Sequence, residues 1–290
     1  MWINNQSSQD DFILLGFLDR PWLETPLFVI FLVAYIFAVF GNTSIILVSC
    51  LDPQLDSPMY FFVSNLSLLD LCYTTCTVPQ MLVNLRGKDK TISYGGCVAQ
   101  LYIFLALGST ECILLAIMAF DRYAAVCKPL HYPIIMSQRR CIHMATGTWI
   151  SGFANSLVQS TLTVVVPRCG HRVIDHFFWA LLLLVPLTLI LGTYVLIARE
   201  VMRIHSAESR WKSFNTCASH LLVVSLFYFT AISMYVQPPS SYSHDRGKIM
   251  ALFYGIITPT LNPFIYTLRN KDVKAALRRA LTKEFWIKTR

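Results

Sequence analysis

The sequence predicts an all-α membrane protein: a seven-transmembrane helix bundle with a short amphipathic C-terminal helix. Three observations carry this prediction: a low charge density, seven long apolar runs, and an uneven split of Lys and Arg between alternate loops. Of the 290 residues 55% are hydrophobic and 14% charged, with a mean hydropathy of +0.52, whereas ordinary soluble domains carry about a quarter charged residues. Long apolar runs at so low a charge density point to lipid as the surrounding solvent rather than to one large soluble core.

In chain order the runs are Pro26–Cys50, Pro58–Leu85, Cys97–Phe120, Ile142–Val166, Phe177–Ala198, Ser213–Val236 and Ile249–Leu268. At 1.5 Å rise per residue about 20 residues cross a ~30 Å hydrocarbon slab, so each run is long enough. A closed barrel would show short alternating segments instead, which leaves helices to satisfy the backbone polar groups. No internal repeat or low-complexity tract divides the chain. It reads as one domain over 1–290, with an extracellular N-terminus (1–25), a bundle (26–268) and a cytoplasmic tail (269–290).

Seven crossings put the two ends on opposite sides. Eight Lys and Arg fall on the N-terminal side: Arg20 and those in Arg86–Lys90, Arg168–Arg172 and Arg246–Lys248. The other sixteen fall in Asp121–Cys141, Arg199–Lys212 and from Arg269 to the end. This bias places the N-terminus outside and the C-terminus in the cytoplasm. The first 25 residues lack the zones of a cleavable signal, so the first span is expected to direct its own insertion. The net charge of +8 is thus mostly a topology signal. Its basic residues are scattered over the loops, and no nucleic-acid partner is expected. In the tail, "NKDVKAALRRAL" sets Val273, Leu277, Ala280 and Leu281 on one helical face among Lys274, Arg278 and Arg279. That pattern suits a short helix on anionic membrane lipid, with a frayed basic tail as the alternative.

Charges inside the spans need a reason, because a carboxylate in a bilayer costs several kcal/mol by insertion scales. The seven runs hold two, Asp70 and Glu111. By helical rise they lie about 18 Å and 15 Å from the cytoplasmic end, at similar depth, so neighbouring helices can bring them together over a shared proton or cation. Two separate, protonated acids are the alternative. Asn42 in "VFGNTS" and Asn262 in "TPTLNPFIY" are polar partners at matching depth. Pro263 removes a backbone donor and loosens the last span, as a candidate switch or as a static kink. The third span ends on an adjacent acid and base, Asp121 and Arg122.

"MAFDRY" closing the third span, "GN" in the first, "SPMYFFVSNLSLLDLCYTT" in the second and "NPFIY" in the seventh resemble the rhodopsin-like G-protein-coupled receptors. "AAVCKPLHY", "KSFNTCASHLLVVSLFY" and "TPTLNPFIYTLRNKDVKAAL" narrow the resemblance to mammalian odorant (olfactory) receptors, from Asp11 to about Leu281. The resemblance implies a multi-pass plasma-membrane receptor that binds small volatile odorants and activates a heterotrimeric G protein of the stimulatory, olfactory class. It further implies that Asp121 holds Arg122 at rest and that Arg122, beside Tyr123, turns inward on activation while the sixth helix swings out. Tyr194 and Tyr266 match the tyrosines that then join Arg122; Lys212 and His220 are expected near the same face. Asp70 and Glu111, with Asn42 and Asn262, match the family's sodium and water site, so an allosteric sodium ion is the one cofactor in view.

The implied ligand site lies between the outer halves of the third, fifth, sixth and seventh helices, as an apolar cleft with a few hydroxyls. Phe104, Leu105, Gly108 and Ser109 share one face of the third helix; Tyr228, Ala231 and Ile232 share one face of the sixth; Tyr254 comes from the seventh. The family usually has Gly after the Phe-Tyr of the sixth helix, and Phe229 here is expected to crowd that wall. The outer side departs further. "VPRCGHRVIDHFFWALLLLVPL" runs from a recognisable second outer loop straight into apolar helix, as though roughly two dozen residues were missing, and Trp179 stands where the family usually has Cys. Cys97 thereby loses its usual partner, with Cys169 the remaining outward-side candidate for a disulfide. Asn5 in "NQS" is a glycosylation acceptor on the outer side.

A misfolded, non-signalling product of a decayed receptor gene is the alternative that this shortening raises. A transporter or channel would favour inverted repeats or broken helix pairs, and none is visible. An enzyme would need a nucleophile–base pair or a metal-ligand set such as "HExxH", and neither is visible.

Overall fold

The computed structural model describes residues 11–13, 21–87, 91–165, 172–235, 253–269 and 271–281. Asn5 and Cys169 lie outside these residues, and the side chains of Trp179 and Tyr254 are likewise not described.

Each predicted run is helical where it is described. α1 (Glu24–Leu51) ends where Asp52 precedes Pro53, because the residue before a proline is pushed out of the helical region; Asp52 is extended, with φ −93° and ψ 111°. α2 (Pro58–Arg86) opens on a proline, whose missing N–H costs nothing at the first helical position. α3 (Tyr94–Cys127) is capped by Ser93, whose hydroxyl accepts the Gly96 N–H at 3.2 Å. It stops at Lys128, before Pro129. A single helical turn, Tyr132–Ile135, leads into α4 (Gln138–Val165). α5 (Arg172–Arg203) and α6 (Ala207–Tyr235) follow. The last span shows a π turn at Phe253–Ile257 and then α7 (Thr258–Arg269), with α8 (Lys271–Leu281) after it. Pro259 has no N–H to give the Gly255 carbonyl four residues back, and the ladder widens there.

Helices overrun the predicted spans because hydropathy marks the edge of the hydrocarbon, whereas caps and prolines end a helix. α3 starts three residues before Cys97 and continues seven past Phe120. α5 begins at Arg172, five residues ahead of Phe177, so only residues 166–171 join α4 to α5. Among the described residues α1, α2, α3, α5 and α6 are long and apolar enough to cross a membrane. α4 carries more Ser, Thr, Asn and Gln, and the described part of the last span is short.

α3 is the axis of the bundle: 67% of its most apolar stretch is buried, against 22% in α1 and in α5, whose outer faces carry Phe37, Phe40, Leu189 and Leu191. The main core joins Phe62, Leu66 and Leu69 of α2 to Leu114, Leu115 and Met118 of α3 and Val223 and Phe227 of α6. Two glycines set close approaches. A Cβ at Gly152 of α4 would overlap Thr110 Oγ1 and come 2.8 Å from the Ala106 carbonyl oxygen of α3; one at Gly41 of α1 would come 2.9 Å from Pro263 Cβ.

Two features lie beyond the sequence reading. Strands β1 (Asp11–Ile13) and β2 (Thr91–Ser93) pair antiparallel, with Phe12 opposite Ile92; three-residue strands leave no period to read. The apolar face of α8 is not turned to lipid as expected. Val273 and Ala276 are buried against Val48, Leu55 and Tyr60, and Leu277 and Ala280 pack beside them. The α1–α2 turn offered that face an apolar seat on the protein, so the basic side alone is left outward.

Candidate functional site

Arg122 is the starting point, since a guanidinium at the foot of an apolar helix must be paired or wet. It is buried, and it donates to the carboxylate of its neighbour Asp121. The second oxygen of Asp121 accepts from the Tyr132 hydroxyl at 2.8 Å. Burial, and then the nearby Asp121 carboxylate, holds the Tyr132 phenol well above its ordinary range, so it remains a donor at physiological pH. The acid is thereby clasped from both sides. Tyr123, half-buried, turns away from this clasp: its ring stacks on Phe120 at 6.4 Å, with Lys128 Nζ 6.0 Å from its centre.

Beside Arg122 lies a gap of about 10 Å³, bounded by Met59, Phe62, Met118, Asp121, Thr216, His220 and Tyr266. That is about the room one water needs. His220 of α6 is fixed by two contacts. Its Nε2 stands 3.1 Å from the Leu115 carbonyl, which can only accept, so Nε2 carries the proton. Nδ1 then accepts from the Tyr194 hydroxyl at 2.7 Å. One imidazole thus ties α3, α5 and α6 together next to Arg122. The Tyr266 hydroxyl is buried with no hydrogen-bond partner among the described residues. Lys212 is exposed and sits eight residues from His220, about 80° around the helix, at the rim rather than inside.

The polar core sits deeper. Asn262 donates to Asp70 Oδ2 at 2.9 Å, and both are buried. Pro263 cannot donate to the Pro259 carbonyl four residues back. That orphaned oxygen is taken by Asn42 of α1, whose Nδ2 reaches it at 3.1 Å and the Ala38 carbonyl at 3.0 Å. Glu111 is buried and lies within electrostatic reach of Asp70. Among the described residues, three buried oxygens, Glu111 Oε1, Asn42 Oδ1 and Asn262 Oδ1, have no hydrogen-bond partner. Unpartnered oxygens beside two carboxyl groups suit a small hard cation or water.

The predicted ligand wall divides. Leu105, Gly108, Tyr228 and Ala231 are buried in the bundle, with the Tyr228 hydroxyl beside the Cys112 thiol. Phe104 packs its ring on Tyr73 of α2 at 4.9 Å. Ser109 faces α4: it donates to the Leu105 carbonyl at 2.7 Å and accepts from Asn155 at 2.8 Å. Ile232 lies at the margin, 36% exposed. The expected crowding by Phe229 is overturned, because one residue turns the helix by about 100° and Phe229 points outward, 68% exposed. Cys97 pairs with no cysteine among the described residues; its candidate partner Cys169 and the ligand candidate Tyr254 fall outside the described side chains.

Tyr132, Asn155 and Trp149, which donates to Asn65 at 3.2 Å, escaped the sequence reading. Tyr132 closes "PLHY", and its place opposite Asp121 depends on the turn after Pro129. Polar residues of α4 facing α3 were the available signal for Asn155.

Comparison with known proteins agrees with this geometry. Residues 41–266 match the 7 transmembrane receptor (rhodopsin family) model. The chain is 59% identical to human olfactory receptor 2B2 over 97% of this chain and 85% of that relative. It is 57% identical to mouse olfactory receptor 2B6 over 97% of each chain, and 53% identical to human olfactory receptor 2G3 over 97% and 99%. The first alignment runs over 306 positions although 97% of 290 residues is about 281, so about 25 positions of that relative face a gap here. That gap agrees in size with the short junction between α4 and α5. The buried Asp121–Arg122 clasp, the Asn42 bridge to α7 and the Asp70–Asn262 pair are found on a chain that belongs to the rhodopsin family of seven-transmembrane receptors and, within it, to the olfactory receptors.

Proposed function

We propose that the chain is an odorant receptor: it takes small volatile ligands between the outer halves of α3, α5, α6 and the last span, and activates a stimulatory heterotrimeric G protein at the end holding Arg122. The N-terminus then faces outward and the C-terminus the cytoplasm, at the plasma membrane. The observation that carries this reading is the clasp on Arg122, with α6 pinned beside it through His220. A buried charge pair at the edge of the low-dielectric region biases one of two arrangements and can be released. In the active arrangement Arg122 leaves Asp121 for the gap lined by Tyr266, α6 moves outward with the Tyr194–His220 bond broken, and the C-terminal helix of the G protein enters. Leu105, Gly108, Tyr228 and Ala231 line the ligand cleft, where the Tyr228 hydroxyl orients the odorant.

Asp70 and Glu111, with the side-chain oxygen of Asn262, hold a sodium ion in the resting arrangement. Glu111 Oε1 and Asn262 Oδ1, unpartnered among the described residues, support this assignment. The exposed cations of α8, Lys274 and Arg278, meet anionic lipid of the inner leaflet.

The test is cyclic-AMP production in cells expressing the tagged chain, challenged with an odorant panel. Ligand-evoked cyclic AMP without ion current, lost in Arg122→Ala at equal surface level, supports the reading. An Asp70→Asn receptor then responds alike at low and high sodium. A chain retained inside the cell, or silent at the surface to every odorant, returns the decayed-receptor alternative.

A further inference from the structure

The first nine residues of α6, 207–215, stand almost wholly exposed beyond the packed bundle. They carry an aromatic pair: Trp211 is 64% exposed and Phe214 50%, with their rings stacked at 5.9 Å. Large rings left in the open mark a surface that something else covers.

Helical geometry says on which side. A residue turns α6 by about 100°. His220, nine residues on, therefore lies half a turn round from Trp211, and it points inward to the Leu115 carbonyl. Trp211 shares its own face with Leu222 and Phe229, both exposed. The ring thus looks away from the Arg122 gap, toward whatever surrounds the bundle. From Trp211 to Phe229 this stripe measures about 27 Å by helical rise, close to the ~30 Å thickness of a hydrocarbon core. A ring at its end falls at the boundary between lipid and water. Arg210 and Lys212, both exposed, flank Trp211 on either side; Glu208 lies a turn farther out.

We propose that Trp211, Phe214, Arg210 and Lys212 form an anchor for anionic phospholipid headgroups on the outward face of α6. The stacked rings lie among the upper acyl carbons, the indole N–H donates to a lipid ester or phosphate oxygen, and the two cations reach the phosphates. The anchor requires only that the chain spans a membrane, so it stands apart from the identity of any odorant. It fastens to the bilayer the end of the helix that His220 holds from inside.

The test uses the full chain in nanodiscs of phosphatidylcholine with or without phosphatidylserine. The chain has six tryptophans, so the fluorescence lost in Trp211→Phe, which keeps an aromatic ring, isolates the signal of Trp211. That signal is expected to be quenched by phospholipid brominated near the headgroup and shielded from aqueous acrylamide. Energy transfer from Trp211 to dansyl-phosphatidylserine is expected to exceed transfer to dansyl-phosphatidylcholine, and the preference to fall about fivefold for each cation removed in Arg210→Gln and Lys212→Gln. A Trp211 signal open to acrylamide and untouched by brominated lipid overturns the anchor, leaving water or a protein on this face. Equal transfer to the two dansyl lipids overturns its anionic specificity.

Discussion

Asp52 spends both carboxylate oxygens on keeping the α1–α2 turn and the tail together. Oδ1 accepts the Gln54 N–H at 3.0 Å, and Oδ2 accepts from Arg279 Nε at 3.0 Å and Nη2 at 2.5 Å. Burial would raise its pKa, but the Arg279 hydrogen bond, the Gln54 N–H and the Arg279 charge together bring it below the ordinary value. A depressed acid contributes stability that is fully present above its unfolded pKa of about 3.9 and is lost as pH falls through the folded value. The hydrogen-exchange protection of α8, taken relative to the intrinsic exchange rate at each pH, should therefore be flat from pH 8 to 5 and fall below about pH 4, and Asp52→Asn should remove that acid step. Tyr132 makes a second prediction. In Tyr132→Phe, Asp121 keeps Arg122 but loses a charge-assisted hydrogen bond worth about 1.5–3 kcal/mol. Part of that loss falls on the resting arrangement, so basal cyclic AMP should rise several-fold with folding intact. An unchanged baseline would remove Tyr132 from the clasp.

At the level of elements, the α3–α4 seam depends on Gly152. Gly152→Ala puts a methyl group onto Thr110 Oγ1 and against the Ala106 backbone oxygen, which cannot yield without moving a helix. Overpacking of this kind costs about 1–3 kcal/mol, so the thermal midpoint of the purified receptor should fall by several degrees, while Gly147→Ala, whose surroundings are open, should leave it in place. What was legible in the sequence divides along the same lines. Asp70, Glu111, Arg122 and Asn262 stood out because polar groups inside apolar helices are expensive, and Pro263 because it lacks a donor. The helices were legible because lipid demands length. The grip of Arg279 on Asp52, the bond from Asn155 to Ser109, and the pairing of β1 with β2 were not. Each joins residues distant in sequence through a few contacts, which no local periodicity records. The outward turn of Phe229 was available from the 3.6-residue period alone.

On the scale of the whole molecule, the short link between α4 and α5 sets what the outer end can do. Six residues can reach about 20 Å when extended, enough to join neighbouring helices. Inserting about two dozen residues of a relative's loop between Val165 and Arg172 should raise surface staining of the tagged chain if the link limits delivery. Equal staining would show that the short link is tolerated. The bundle beneath does not wait on that result, since its core gathers around α3 and joins it to α2 and α6.

The carbonyl of Pro259 gives one more consequence. Its hydrogen bond has been handed from its own helix to Asn42, so the first and last spans share a joint that neither can leave alone. Parting them forfeits that bond and strands a backbone oxygen in an apolar surrounding, a loss of about 1–3 kcal/mol. Whatever flexing Pro263 allows, the first helix must travel with it, and a pair of spin labels on the two should keep a fixed separation while α6 moves past both.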